Sequence, residues 1–406
     1  MFSDDALNKL IEPVVVRQEE ANLFVIETIA DRVRNIGLLS LADLRKLEQL
    51  YISGMDIKKI NAHLAEVAEL QVKDIKSIIR TVAEENYIDA KPFYDYRHKK
   101  FVPLNNNKEL MKVVNAVGNE MVDTYKNISD SRATGFLIRD IKNPNSLKFQ
   151  SIGDTYKSVV DEAIRAVQHK EMDFNTAVRR TIRQLAESGV RRLYWESGYT
   201  QRLDTAVRRN IQDGVHRINQ EMQDVIGKQI RADGVELSAH INSAPDHEPI
   251  QGHVFTNKEY DKLQNVSAFK DVEGNRFSAI ERAIGMWNCR HYAISVIVDA
   301  HTPKYTTAQL QAMIEKNHKG YTTADGRHLT MYECAQVQRQ LETKIRNAKE
   351  GQIAFRASGD KLEARKYQTR INRYSAQYKA FSNACGLSQQ IIRTRVYGYH
   401  KIKADN

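Results

Sequence analysis

Over most of this chain apolar residues recur at spacings of three and four, and at one place, Val235, they switch to alternation. The first spacing lays a stripe along a helix and the second lays one along a strand. The chain is therefore expected to be mostly α, with a small α+β unit carried between long helices. Val235, Leu237, Ala239 and Ile241 alternate as one strand, His253-Val254-Phe255 reads as a second, and Tyr292, Ile294, Val296 and Val298 read as a third.

The helical stripes can be followed one by one. Ser40 with Asp43 opens a capping pattern, and Leu44, Leu47, Leu50 and Tyr51 follow on one face. Asp56 is placed to cap a second helix through Ile57, Ile60, Leu64 and Val67, and Val72, Ile75, Ile78, Ile79 and Val82 mark a third. Asn105–Asn107 and Asn143-Pro144-Asn145 are turn signals flanking a stripe from Leu110 to Met121. Further stripes run from Val159 to Val167, from Ala177 to Leu185 and from Leu203 to Ile226, the last ending near Gly234. Thr330 with Glu333 forms a capping box. Tyr367, Ile371, Tyr374, Tyr378 and Phe381 repeat at 4-3-4-3, the seam of a C-terminal helical hairpin that stops at Gly386.

Seven prolines and nineteen glycines in 406 residues argue against a disordered chain. No run of about 18 apolar residues is present, so no membrane span is expected. The start, Met1-Phe2-Ser3-Asp4-Asp5, is acidic and argues against a secretory signal peptide. Cys289, Cys334 and Cys385 are too few and too scattered for a disulfide framework, which fits synthesis in a reducing compartment. A net charge of +10 invites a polyanionic partner and equally describes a solvated basic surface.

The chemistry-bearing residues gather in the centre. His240, His247, His253, Cys289 and His291 are of metal-ligating type, but their spacing matches no common zinc signature. His247, Cys289 and His291 are the candidates if a metal is bound, and zinc stays open. Cys289 with His247 or His291, oriented by Asp246, has the residue types for acyl transfer, and Arg290 has the charge to activate the thiol. No family-specific signature surrounds Cys289. The structural reading accounts for more residues. Pro245 and Asp246 build a turn, Gly252 permits an unusual backbone angle, and Asn288 and Arg290 bond across to the other loop. On this reading His240, Asp246, His247, Gln251, Gly252, Asn288, Cys289, Arg290 and His291 form a polar clasp with no catalytic residue.

The helices before the strands carry Arg179, Arg180, Arg183, Arg191, Arg192, Arg202, Arg208, Arg209 and Arg217 at positions expected to face outward, with Tyr194, Trp195 and Tyr199 among them. Arg179, Arg180, Arg183, Arg191, Arg192, Arg208 and Arg209 are the candidates for contact with nucleic acid. The competing reading pairs these arginines with acids on neighbouring helices.

Ser238-Ala239-His240, Pro245-Asp246-His247, Gln251-Gly252, Asn288-Cys289-Arg290-His291 and the later run Gln338–Arg346 together resemble the minor capsid protein 2 family of tailed bacteriophages, relatives of MuF-like minor head proteins. The resemblance follows the chain in order over most of its length. It implies a structural, non-enzymatic protein present in few copies. Its place would be inside the head at the portal vertex, after synthesis in the bacterial cytoplasm. Its partners would be the portal protein and other capsid proteins, with phage DNA as a further partner in packaging or ejection. No cofactor is implied. The alternative is a thiol- or metal-dependent hydrolase or transferase carried in the virion. Four stretches are expected: a helical partner-binding region at 1–150, basic long helices at 151–234, the MuF-like α+β unit at 235–303 and the helical hairpin region at 304–406.

Overall fold

The computed structural model describes residues 4–36, 52–130, 132–139, 146–169, 174–194, 197–264, 284 and 291–402. The expected Ser40 cap with Leu44 to Tyr51, the turn at 143–145, Trp195 and the Asn288-Cys289-Arg290 segment lie outside these residues.

The chain is predominantly helical. Helix α1 (Asp4–Ile36) turns Leu7, Ile11, Val14, Val25, Ile29 and Val33 inward at three- and four-residue spacing. Helix α2 (Ile52–Ile88) is one continuous element of 37 residues, where two helices were expected. The stretch between the two expected stripes, Ala65-Glu66-Val67-Ala68-Glu69-Leu70-Gln71, contains no breaker and several strong helix formers, so nothing ends the first stripe. Asp56 does not cap this helix. It accepts hydrogen bonds from Arg32 Nε at 2.6 Å and the Tyr156 hydroxyl at 2.5 Å, which ties α2 to α1 and to a later helix.

After the short helix α3 (Lys91–Tyr96), helix α4 (Lys108–Ile128) is capped by the Asn107 side chain, which accepts from the Leu110 N–H. Strands β1 (Thr134–Arg139) and β2 (Leu147–Ser151) pair antiparallel. Helices α5 (Ile152–His169) and α6 (Phe174–Ser188) follow, then strands β3 (Arg191–Leu193) and β4 (Thr200–Arg202). The four strands form an antiparallel sheet in the order β2-β1-β3-β4, which the helical reading of this region did not anticipate. Arg191 and Arg192 accordingly stand on a strand and not on a helix face.

Helix α7 (Leu203–Ile230) packs against α1, α2 and α4. At Gly214 an added Cβ would run into the Met121 side chain, so α7 and α4 cross closely there and any larger residue would displace Met121. The helix ends at Ile230 with Arg231 in the left-handed conformation (φ 54°), four residues before the expected stop at Gly234, which instead begins a strand.

Strands β5 (Gly234–Leu237), β6 (Val254–Thr256) and β7 (Ala293–Val296) make an antiparallel sheet in the order β6-β5-β7. All three match expected strands, but β5 stops at Leu237, before Ala239 and Ile241. The sheet rests on α7: the Ser295 N–H donates to Gln223 Oε1 at 2.9 Å, and the Ser295 hydroxyl donates to the Gln223 carbonyl at 2.8 Å.

Helices α8 (Asn257–Gln264) and α9 (Thr307–Lys319) and the small pair β8 (Tyr321–Thr322) and β9 (His328–Leu329) complete the α+β part. Helices α10 (Met331–Ala357) and α11 (Lys361–Cys385) form the C-terminal hairpin. Its expected capping box is present at Thr330 and Glu333, and Gly386 ends it in the left-handed conformation. Tyr367, Ile371 and Tyr378 of the expected seam are buried. The main apolar core draws on α1, α2, α4, α5, α6, α7, α10 and α11, whereas the β5–β7 sheet has a small cluster of its own around Val235, Leu237, Ile250 and Ile284.

Candidate functional site

The β5–β7 register decides what the central loops can reach. Leu237 stands opposite Ala293, so the next residues outward are Ser238 and Tyr292. The Ser238 N–H donates to the Tyr292 carbonyl and the Tyr292 N–H donates to Ser238 Oγ, each at 2.9 Å. Just beyond the ends of the two strands, two residues past Ser238 and one before Tyr292, come the rings of His240 and His291, which stack with centroids 4.4 Å apart and planes 22° from parallel.

The intervening loop folds back onto this pair. Residues 241–252 run through successive turns, with the Gln251 N–H bonded to the His247 carbonyl at 3.1 Å. His247 meets His291 edge to face at 5.3 Å, and Asp246 Oδ2 lies 3.6 Å from His247 Nε2. Gln251 Oε1 accepts from the His240 backbone N–H at 2.9 Å and lies 3.3 Å from His291 Nε2. Ser243 Oγ is 3.4 Å from the same ring nitrogen. Gly252 adopts φ 72°, and a Cβ there would stand 2.3 Å from Leu310 Cδ2 and 3.2 Å from Ala239 Cβ. The loop is thereby pressed onto α9 as well. Glu248 completes that contact, accepting from Asn317 Nδ2 at 2.6 Å and bonded to His318 Nε2 at 2.7 Å.

The structure thus brings His240, Asp246, His247, Gln251, Gly252 and His291 together. Ser243, Asp246, His247, Gln251 and His291 are each no more than 5% exposed. Buried polar groups of this kind are stable only where they are bonded to one another, and here the bonds run from one loop to the other. His253, the remaining histidine of the sequence constellation, stands apart on the exposed approach to β6. Among the described residues no group of three or more His, Cys, Asp or Glu side chains is arranged to hold a metal ion.

The arginines divide. Arg179 pairs with Asp360 at 2.5 Å and Arg183 with Glu363 at 3.2 Å, both at the start of α11, and Arg180 pairs with Glu162 on α5. Arg191 bonds Thr200 across the β3–β4 pair. Arg192 and Arg209 are half-buried. Arg202 and Arg208 do not face outward as expected: they are 5% and 9% exposed, because both lie in the seam between α1, α7 and α10.

That seam holds a charged network which the sequence reading missed. Arg202 forks onto Glu350 and also bonds Asp204 at 3.1 Å, Arg346 reaches Asp204 at 2.7 Å and Glu19 at 3.7 Å, and Arg208 lies 3.7 Å from Glu12. Burial opposes ionisation of Asp204, but the charges of Arg202 and Arg346 outweigh it and hold its carboxyl well below the usual range. Burial, reinforced by the charge of Asp204, pushes Glu19 up to about 8. The available signal was the occurrence of Arg346 and Glu350 four residues apart on one helix, with Glu12 and Glu19 among the apolar positions of α1.

A small sheet pinned to a long-helix body, its polar side chains enclosed and bonded within the fold, defines a structural component. Among the described residues no helix is long and apolar enough to cross a membrane. The chain belongs to the phage minor capsid protein 2 family, which matches residues 3–383. It is a minor capsid protein of a bacteriophage, MuF-like, with a part in head morphogenesis. Comparison with curated proteins and with solved structures gives no significant match.

Proposed function

We propose that this protein occupies the portal vertex inside the phage head and assists head assembly there, in contact with the portal protein and neighbouring capsid proteins. Synthesis in the host cytoplasm precedes its incorporation. A shell built from many equivalent positions offers no unique site to a low-copy protein, whereas the portal vertex is unique. The observation that carries the reading is the enclosed clasp. Its polar side chains join two loops of the chain to each other, as in a unit that must keep its shape under assembly forces.

The division at 1–150, 151–234, 235–303 and 304–406 is proposed as one of roles. The first stretch and the hairpin supply partner surface, the basic long helices face the packaged genome, and the MuF-like unit is the part held by the clasp. A role in packaging or ejection of DNA rests on the surplus of 61 lysines and arginines over 51 acids.

Immunogold labelling of purified particles tests the placement. Label confined to one vertex, with the portal protein recovered in chemical cross-links, is the expected result. Label spread over the shell, or absence of the chain from virions by mass spectrometry, overturns it.

A further inference from the structure

A cavity of about 400 Å³ lies where the clasp loop, α9, the hairpin and the start of α1 converge. Its wall contains three cationic residues, Lys316, Arg339 and Arg393, and no aspartate or glutamate. Among the described residues neither Lys316 nor Arg339 enters an ion pair, unlike Arg179, Arg180 and Arg183. Arg393 donates to Asn8 Oδ1 at 3.4 Å, one of the contacts that hold it in the wall. The acid that acts on Arg393 from behind, Glu342, is buried, accepts from the Tyr378 hydroxyl and does not line the cavity. Like charges gathered in one concavity repel each other, and an anion that enters relieves the repulsion while gaining charge-assisted hydrogen bonds. The remaining wall supplies amide groups for hydrogen bonding and an apolar side from Ile241, Met331 and Leu387.

We propose that this cavity binds a nucleotide through its phosphoryl group, with the phosphate among Lys316, Arg339 and Arg393 and the base or sugar against the apolar side. The volume falls in the range of small-ligand sites of roughly 300–1,000 Å³ and is far too small for a duplex. The same phosphoryl group can come from a free mononucleotide or from the 5′-phosphorylated end of a single strand.

Calorimetric titration of the full chain at low salt tests the proposal. The probes are a deoxynucleoside 5′-monophosphate, the corresponding nucleoside and a 5′-phosphorylated single-stranded oligonucleotide. The monophosphate is expected to bind at least tenfold more tightly than the nucleoside. Arg339→Ala and Lys316→Ala are each expected to weaken it about tenfold, with Arg339→Lys recovering part of the loss. Both residues are at least partly exposed, and unchanged circular dichroism melts separate lost binding from lost folding. Equal affinity for monophosphate and oligonucleotide supports the free ligand, and tighter oligonucleotide binding supports a strand end. Failure of both phosphorylated probes to bind, nucleoside binding as tight as monophosphate binding, or unchanged affinity in the alanine variants overturns the proposal.

Discussion

Replacing Asp204 with asparagine isolates the charged network in the seam between α1, α7 and α10. The carboxylate is fully buried and touches two guanidinium groups, Arg202 at 3.1 Å and Arg346 at 2.7 Å. The amide keeps the shape but removes the charge and turns a donor toward donors. Breaking a buried ion pair from one side costs about 3 to 5 kcal/mol, because the partner's charge stays buried without compensation. Glu19 makes the cost depend on pH. Its folded pKa, raised to about 8, lies above the unfolded value, so its stabilising contribution is complete below the unfolded value near 4.5 and is lost as pH rises toward 8. Asp204 has the opposite sign: its depressed folded pKa stabilises above the unfolded value and is lost as pH falls through the folded one. In Asp204→Asn, Glu19 no longer faces the Asp204 carboxylate and ionises more readily, replacing part of the missing charge. Urea unfolding followed by circular dichroism should therefore give a loss of about 3 kcal/mol or more at pH 6, and one smaller by at least about 1 kcal/mol at pH 9. A loss below about 1 kcal/mol at pH 6, or one that does not change with pH, refutes the reasoning.

Gly252→Val places a branched side chain at φ 72° and against Leu310, so a loss of about 3 kcal/mol or more is expected, read from the urea midpoint; a near-neutral result would mean that the loop is not pressed onto α9. Thr330→Ala removes the side chain that accepts from the Glu333 N–H at the start of α10 and should cost about 1 kcal/mol, with no change in helix content by circular dichroism. Tyr156→Phe removes the hydroxyl that bonds Asp56 and should cost about 1 kcal/mol, less than truncation of the apolar ring to alanine, again by urea unfolding.

The elements legible in the sequence were those whose signals are local. The stripe of α4, the capping box at Thr330, the seam of α11 and the alternation at β5 all lie within a few residues of one another. Strands β3 and β4 were missed because they are three residues each, too short to establish a period, and carry arginines that suggested a helix surface. Alternation overstated β5, because the chain leaves the sheet after Leu237, before Ala239 and Ile241. At the site, the residue types of the clasp could be listed from the sequence. The contact of His240 with His291 depends on the Leu237–Ala293 register, which only the paired strands reveal. Arg202, at the end of β4, and Arg208, on α7, were misplaced because a charged side chain is normally solvated, and here a long-range cluster overrides that tendency.

Polar contacts join the 240–252 loop to the segment that leads from His291 into β7 and hold the MuF-like unit in shape. A double-mutant cycle on Gln251→Ala and His291→Ala, with unfolding free energies measured for all four proteins, tests it most directly. A coupling of about 1 kcal/mol or more between the two positions is expected. Additive losses, with a coupling within about 0.3 kcal/mol of zero, would contradict it.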